Sequence, residues 1–247
     1  MLALYQQQTN QLLQNPGANA NPLYALSDIT GFINRARHWL AGDAECVRNY
    51  ATMPIVAGTR QYPFSDVVLS QPDPALSGIA GIFNIRLIWY QVGDGQKLLR
   101  PRPWAWFSAY LLNNPVPPSG APRVWTQYGQ GEDGSIFIDP IPDGTYTLPL
   151  DAVCVPVDLV DDTTIEAIPD PWTGAVCFLA AYYALLSAQS AQRQADGDRM
   201  MERYQQFKNK ARTQSTPSVL PNQYEQTPSQ TRTNLLGIQP AQGGAAS

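Results

Sequence analysis

Asp170-Pro171-Trp172-Thr173-Gly174-Ala175-Val176-Cys177-Phe178-Leu179-Ala180-Ala181-Tyr182-Tyr183-Ala184-Leu185-Leu186 is the stretch from which the architecture follows. Asp170 is an N-cap residue type, and Pro171 suits the first helical position. Trp172, Ala175, Val176, Leu179, Tyr183 and Leu186 form one stripe at helical spacing. Phe178, Ala181, Tyr182 and Leu185 make the other side apolar too. A helix apolar all round must be buried on every side, within the fold or against a neighbouring subunit. Its apolar run from Ala175 to Leu186 is too short to span a membrane, which needs about 20 residues.

A more polar helix is expected next, over about 192–211, with Met200, Met201, Tyr204 and Phe207 as its apolar points. At the other end of the chain, residues 2–14 suit a short helix through Leu2, Tyr5, Leu12 and Leu13, stopped by Asn15-Pro16-Gly17. A second helix is predicted from Ser27, a capping residue, with Asp28 in its first turn. Ile29, Phe32, Ile33, Ala36, Trp39 and Leu40 carry its stripe to about Tyr50, with a break at Gly42 as an option.

Between these helices the pattern changes to β. Residues 54–58 and 60–69 read as short strands joined by Gly58-Thr59. Ile82–Gln91 alternates, with Ile82, Asn84, Arg86, Ile88 and Tyr90 on one face and Phe83, Ile85, Leu87 and Trp89 on the other. Gly93-Asp94-Gly95 then predicts a hairpin returning through Leu98-Leu99-Arg100. Trp104–Leu112 suits a short amphipathic helix. Val124–Gln127, Ser135–Asp139 and Thr145–Asp158 suit strands, the last an edge strand or one broken in two, because it holds Pro149 and Pro156. The expected fold class is α+β: a helical bundle from the N- and C-terminal segments, an inserted β-rich region and an extended C-terminal arm. The expected divisions are 1–52, 53–169, 170–212 and 213–247.

Composition narrows the function. The 247 residues are 44% hydrophobic, which excludes wholesale disorder, and only 15% charged, against about 25% in an average globular chain. With 16 basic and 20 acidic residues the chain carries −4, which argues against a generic basic nucleic-acid binder. Low charge with abundant Pro, Gln and Tyr suits a protein that buries much surface in an assembly. A single histidine removes most zinc and triad chemistry, and Cys46, Cys154 and Cys177 form no CxxC pair. They read as reduced, buried thiols made in a reducing cytoplasm. The run Met1–Gln6 lacks the basic region of a signal peptide. No cofactor or metal is expected, and no membrane.

Two stretches carry a resemblance. Gly58-Thr59-Arg60-Gln61-Tyr62-Pro63 resembles a strand-and-turn of phage head–tail proteins. From Asp139-Pro140-Ile141-Pro142-Asp143-Gly144-Thr145-Tyr146 through Leu148-Pro149-Leu150 and Glu166-Ala167-Ile168-Pro169 into the apolar helix, the order resembles the head-to-tail adaptor (connector) proteins of tailed bacteriophages. The likeness covers about 27–211 and is strongest over 135–190; order and spacing carry it. It implies a structural virion protein, not an enzyme: a dodecameric ring beneath the portal at the neck, linking capsid to tail, with DNA passing through its centre without specific binding. Its partners would be the portal, a tail or nozzle protein and further copies of itself. Residues 213–247 fit a portal-docking arm, polar and Pro-punctuated yet carrying Val219, Leu220, Tyr224, Leu235, Leu236 and Ile238 as anchors. The alternatives are another neck or tail component, such as a tail completion protein, or a carbohydrate-active virion protein.

Several residues have two readings each. No Lys or Arg occurs from Val124 to Gln192, a stretch that includes Asp158, Asp161 and Asp162. These acids either face a channel, repelling DNA phosphates, or sit in solvated turns. Arg199, Arg203, Lys208 and Lys210 suit a subunit or portal interface, or the exposed C-terminal half of a helix. Trp89, Trp104, Trp106, Phe107, Tyr110 and Trp125 suit the core of the β region, or rings that stack on sugar or a partner. Asp139 with Asp143, or Asp158 with Asp162, would be the carboxylate pair of a glycosidase, yet beside Pro and Gly they are ordinary turn residues. His38 has no Cys or Ser near it in sequence and reads as a structural or interface residue.

Overall fold

α1 (Leu2–Leu12) and α2 (Leu26–Ala44) open the chain in a computed structural model that describes residues 1–14, 23–92, 95–113, 118–187 and 191–215. α2 is capped by Ala25 rather than Ser27 and passes unbroken through Gly42. It stops six residues short of the expected Tyr50, because Glu45 takes a left-handed conformation (φ 51°) and the chain turns into β1 (Arg48–Ile55). The β region therefore begins before Met53. Trp39, expected on the buried stripe, is 52% exposed, and Arg37 is buried in its place.

After β1 come β2 (Gln61–Pro63), β3 (Val68–Leu69), the one-turn helix α3 (Pro74–Ser77), β4 (Ile79–Val92), β5 (Gly95–Leu98), β6 (Arg100–Pro101) and α4 (Trp104–Asn113). β7 (Val124–Tyr128), β8 (Ser135–Asp139), β9 (Tyr146–Pro156), α5 (Thr173–Ser187) and α6 (Ala191–Ser215) complete the described chain. Among the described residues the fold is mixed α+β, with six helices and two sheets ordered β3-β1-β9-β4-β5 and β2-β8-β7-β6. β1 and β2, expected as neighbours across Gly58-Thr59, lie in different sheets.

Three strands depart from their sequence patterns. β9 was expected at an edge or broken; it is unbroken and lies between β1 and β4. Its prolines sit where the ladder asks least of an N–H. Leu150 is the last residue paired with β4, so Pro149 has only the β1 neighbour Thr52, and Pro156 is the strand's final residue. β4 does not alternate. Register shifts at three points add residues to it, and each bulge resets which side faces inward. Ile79, Ile82, Ile85 and Ile88 are buried, at a spacing of three. The return strand divides: Gly95–Leu98 pairs with β4, Leu99 is buried, and Arg100–Pro101 joins the second sheet beside β7. The hairpin residues 93–94 lie outside the described residues.

α5 is the packing centre of the helices, with α1 and α2 against it and α2 also against β9. Small residues allow the close approach: Ala175, Ala180, Ala181 and Ala184 are fully buried, as are Ala36, Ala41 and Ala44 of α2. α6 contributes Tyr204 and Ala211, and the Tyr204 hydroxyl donates to Asp43 at 3.1 Å. One face of the second sheet (Tyr62, Trp125, Ile136, Ile138) joins this contiguous core. Phe137, on the other face, meets Trp104 and Phe107 of α4. Cys46, Cys154 and Cys177 are buried free thiols; burial pushes the first two up to about 12 and the third to about 11. Among the described residues no helix is long and apolar enough to cross a membrane.

Gly78 closes α3 at φ +67°, and a Cβ there would lie 2.5 Å from the Ile165 carbonyl oxygen. Gly78→Ala is expected to cost at least about 1–2 kcal/mol from the left-handed backbone alone. Urea unfolding checks this; an unchanged midpoint would refute it.

Candidate assembly surfaces

The two stretches that carry the resemblance meet in space. Gly58 (φ +79°) allows the turn after β1, and its N–H donates to the Pro142 carbonyl at 2.9 Å. The buried Tyr62 hydroxyl accepts from the Val56 N–H (3.2 Å) and donates to the Thr59 carbonyl (2.8 Å), fastening that turn from inside. Arg60 reaches Asp139 at 3.0 Å, both side chains mostly buried. Burial raises the Asp139 pKa against the opposing pull of Arg60. Asp143 accepts from the Tyr146 hydroxyl. Asp139 and Asp143 thus have local partners that hold a turn.

α2 organises the connection from β9 to α5 with three polar positions on one side. Asn34 accepts from the Leu159 N–H (2.9 Å) and donates to its carbonyl (3.1 Å). Arg37, completely buried, places Nε and Nη2 on Glu166 (2.9–3.2 Å) and Nη1 on the Val157 carbonyl (2.6 Å). Glu166 also accepts from the Ile168 N–H at 2.8 Å. Tyr5 of α1 lies buried beside this pair, and burial together with the Glu166 charge raises its pKa strongly. His38 Nε2 stands 3.1 Å from both Asp158 and the Pro156 carbonyl.

The same connection carries the three candidate channel acids, all exposed. Asp161 accepts from the N–H and hydroxyl groups of Thr163 and Thr164, an Asx-type turn that holds its carboxyl below the usual range. Asp162 accepts from the Ala3 N–H (2.8 Å) and the Met1 ammonium (2.9 Å), capping α1 from a distant loop. These contacts depress its pKa, the Ala3 N–H foremost. A depressed carboxyl stabilises the fold above its unfolded value, near 3.8, and loses that contribution as pH falls through the folded value. Carboxyl NMR titration is expected to give Asp162 a midpoint below 3.8, with the α1 amide signals shifting in step. A midpoint at or above the ordinary value would refute the cap.

On α6, Arg199 and Arg203 are exposed, as is Lys210, and Lys208 is half-buried. Arg199 pairs loosely with Asp196 (3.5 Å), and Arg203 donates to Gln206 (3.4 Å). Arg199 and Arg203 rim a cleft of about 380 Å³ floored by Phe178 of α5 and Met200. The arm anchors Val219, Leu220, Tyr224, Leu235, Leu236 and Ile238 lie outside the described residues.

The aromatic set divides. Trp125 and Phe107 are buried, Trp89 and Trp104 partly so, and Trp106 is 40% exposed. Arg102, Trp106 and Tyr110, four residues apart, form a stack. The guanidinium lies 5.0 Å from the indole centroid, and the two rings are parallel at 5.4 Å. The Arg37–Glu166 pair and the Arg102 cation beside Trp106 were not expected from the sequence. A charge at position 37, in register with Ile29 and Ile33, was the available signal for the first.

No group of three or more His, Cys, Asp or Glu side chains that could hold a metal occurs among the described residues. No curated protein matches the chain. A family model described as SU10 adaptor protein matches residues 4–232. That match runs from α1 through both sheets and both C-terminal helices, taking in the Gly58–Pro63 and Asp139–Tyr146 turns, so the chain belongs to the SU10 adaptor protein family and is a phage structural adaptor.

Proposed function

We propose that this adaptor forms a ring beneath the phage portal, joins capsid to tail at the virion neck, and leaves a central channel for DNA. In this reading the helices of both chain ends make one bundle with the β-rich region inserted. Residues 213–247 dock onto the portal as an arm, and Asp158, Asp161 and Asp162 keep a DNA-facing surface anionic. The chain works by binding alone. The family match over 4–232 is the observation that carries the reading. A heterologous contact that closes by rotation generates such a ring, and many copies sum modest contacts into a durable joint.

The test is to mix the purified chain with the portal protein of the same phage and weigh the product by native mass spectrometry. One copy per portal subunit is the expected result. Two folded proteins that do not bind would move the chain further down the neck, to a tail completion role. Activity on purified peptidoglycan, lost in Asp139→Asn or Asp162→Asn, would favour the carbohydrate-active alternative.

A further inference from the structure

Two exposed surfaces of opposite charge, each with an apolar centre, are left uncovered by the described residues. The first is the outer side of α4 and the adjoining edge strand β6. Trp106 stands exposed there with Arg102 against its ring, and Arg100 and Arg123 are exposed on β6 and just before β7. Arg100 and Arg123 are neighbours across the β6–β7 pairing, the Arg100 N–H donating to the Arg123 carbonyl at 3.0 Å. None of these three guanidinium groups pairs with a carboxylate among the described residues. The second surface joins α3 to the loop after β9, where Gly78 backs directly onto Ile165. Leu76 (60% exposed), Val160 (76%) and Ile165 (40%) are exposed in these two segments, as are Asp73, Asp158, Asp161 and Asp162, of which Asp158 also meets His38 and Asp162 the Met1 ammonium.

We infer that the Arg100–Arg102–Trp106 face of one copy seats on the Leu76–Val160–Ile165 knob of the next copy. The inference rests on the ring reading and names its contact, and it places Asp158 and Asp161 between copies instead of on the channel wall. The two surfaces are complementary in charge, cation against carboxylate, and each offers apolar area to cover. They occupy different elements, so the contact is heterologous and leaves a second pair of surfaces free to continue the ring. A nucleic acid suits the basic face less well. Base stacking needs a free ring face, whereas Arg102 and Tyr110 lie against Trp106 from four residues before it and four after. The stack also fixes the Arg102 guanidinium in advance, which lowers the entropy lost on docking.

Charge reversal in the full-length chain tests this, read by sedimentation velocity over a concentration series. Arg100→Glu with Arg102→Glu places acid against acid; Asp158→Lys with Asp161→Lys places base against base. Each double variant is expected to self-associate about a hundredfold more weakly than the parent, since like charges facing each other are strongly unfavourable. Mixing the two is expected to restore association, because each supplies the surface the other lacks, and so is the quadruple variant. Circular dichroism confirms that these surface variants fold. A parent that associates while both variants match it would overturn this contact and leave the ring standing. A parent that stays monomeric, alone and with the portal, would overturn both. A monomeric parent that binds a DNA oligonucleotide through Arg100 and Arg102 would assign the face to nucleic acid instead.

Discussion

Arg37→Ala is expected to destabilise the folded chain by about 3–5 kcal/mol, the cost of leaving one member of a buried ion pair without its partner. Arg37 is fully buried, and the Glu166 side chain is 7% exposed. Removing the guanidinium strands the carboxylate among α1, α2 and the β9–α5 connection, with only the Ile168 N–H and the nearby Tyr5 to meet it. The Val157 carbonyl loses its 2.6 Å donor as well. For a chain of this size each kcal/mol moves the melting midpoint by about 2–4 °C, so the loss is roughly 6–20 °C. Arg37→Met with Glu166→Leu removes both charges together and is expected to recover most of it, because a buried pair replaced by apolar groups of similar volume is often neutral. Scanning calorimetry on the two variants checks the argument. A loss below about 1 kcal/mol for Arg37→Ala would show that water reaches Glu166.

The pair also shows how far the sequence could be read. The helical stripes of α1, α2 and α5 and the existence of β4, β7 and β8 followed from periodicity. Those signals are local and they placed the elements, although Trp39 of α2 and Leu186 of α5 are exposed and β4 does not alternate. Arg37 did not follow, because a charge on a helix reads as surface until a partner 129 residues away is known. The end of α2 was not marked by its one glycine, Gly42, which the helix passes through; it is set by Glu45 at φ 51° and by β1 pairing with β9, about 100 residues on. β4 hid its buried side because bulges are a property of two strands together. Pro149 misled for a related reason: a proline excludes a hydrogen bond, and only the topology says whether one was required there. Among the candidate site residues, the turn at Asp161 was legible. The partners of Asp158 and Asp162, namely His38, Met1 and Ala3, lie more than a hundred residues away in the chain and were not.

Ending the chain at Ser215 is expected to leave a folded protein that no longer joins the portal. Every buried residue among those described lies at or before Ala211, and Met1–Arg212 forms one compact unit, so the core closes before the arm begins. The melting midpoint should stay within about 2 °C of the full chain, no more than the shift from 1 kcal/mol. Portal binding should fall below detection. In a segment this polar and Pro-punctuated, the apolar anchors must supply the free energy of docking. Two anchor groups are available, and the family match separates them. Val219, Leu220 and Tyr224 lie inside residues 4–232, whereas Leu235, Leu236 and Ile238 lie beyond it. If docking is a trait of the family, alanine at the first group weakens portal binding by about tenfold or more, the scale of a hot spot, and alanine at the second does less. The reverse order would make the final anchors particular to this phage. A chain ending at Ser215 that still binds the portal as the full chain does would place the joint on the folded body.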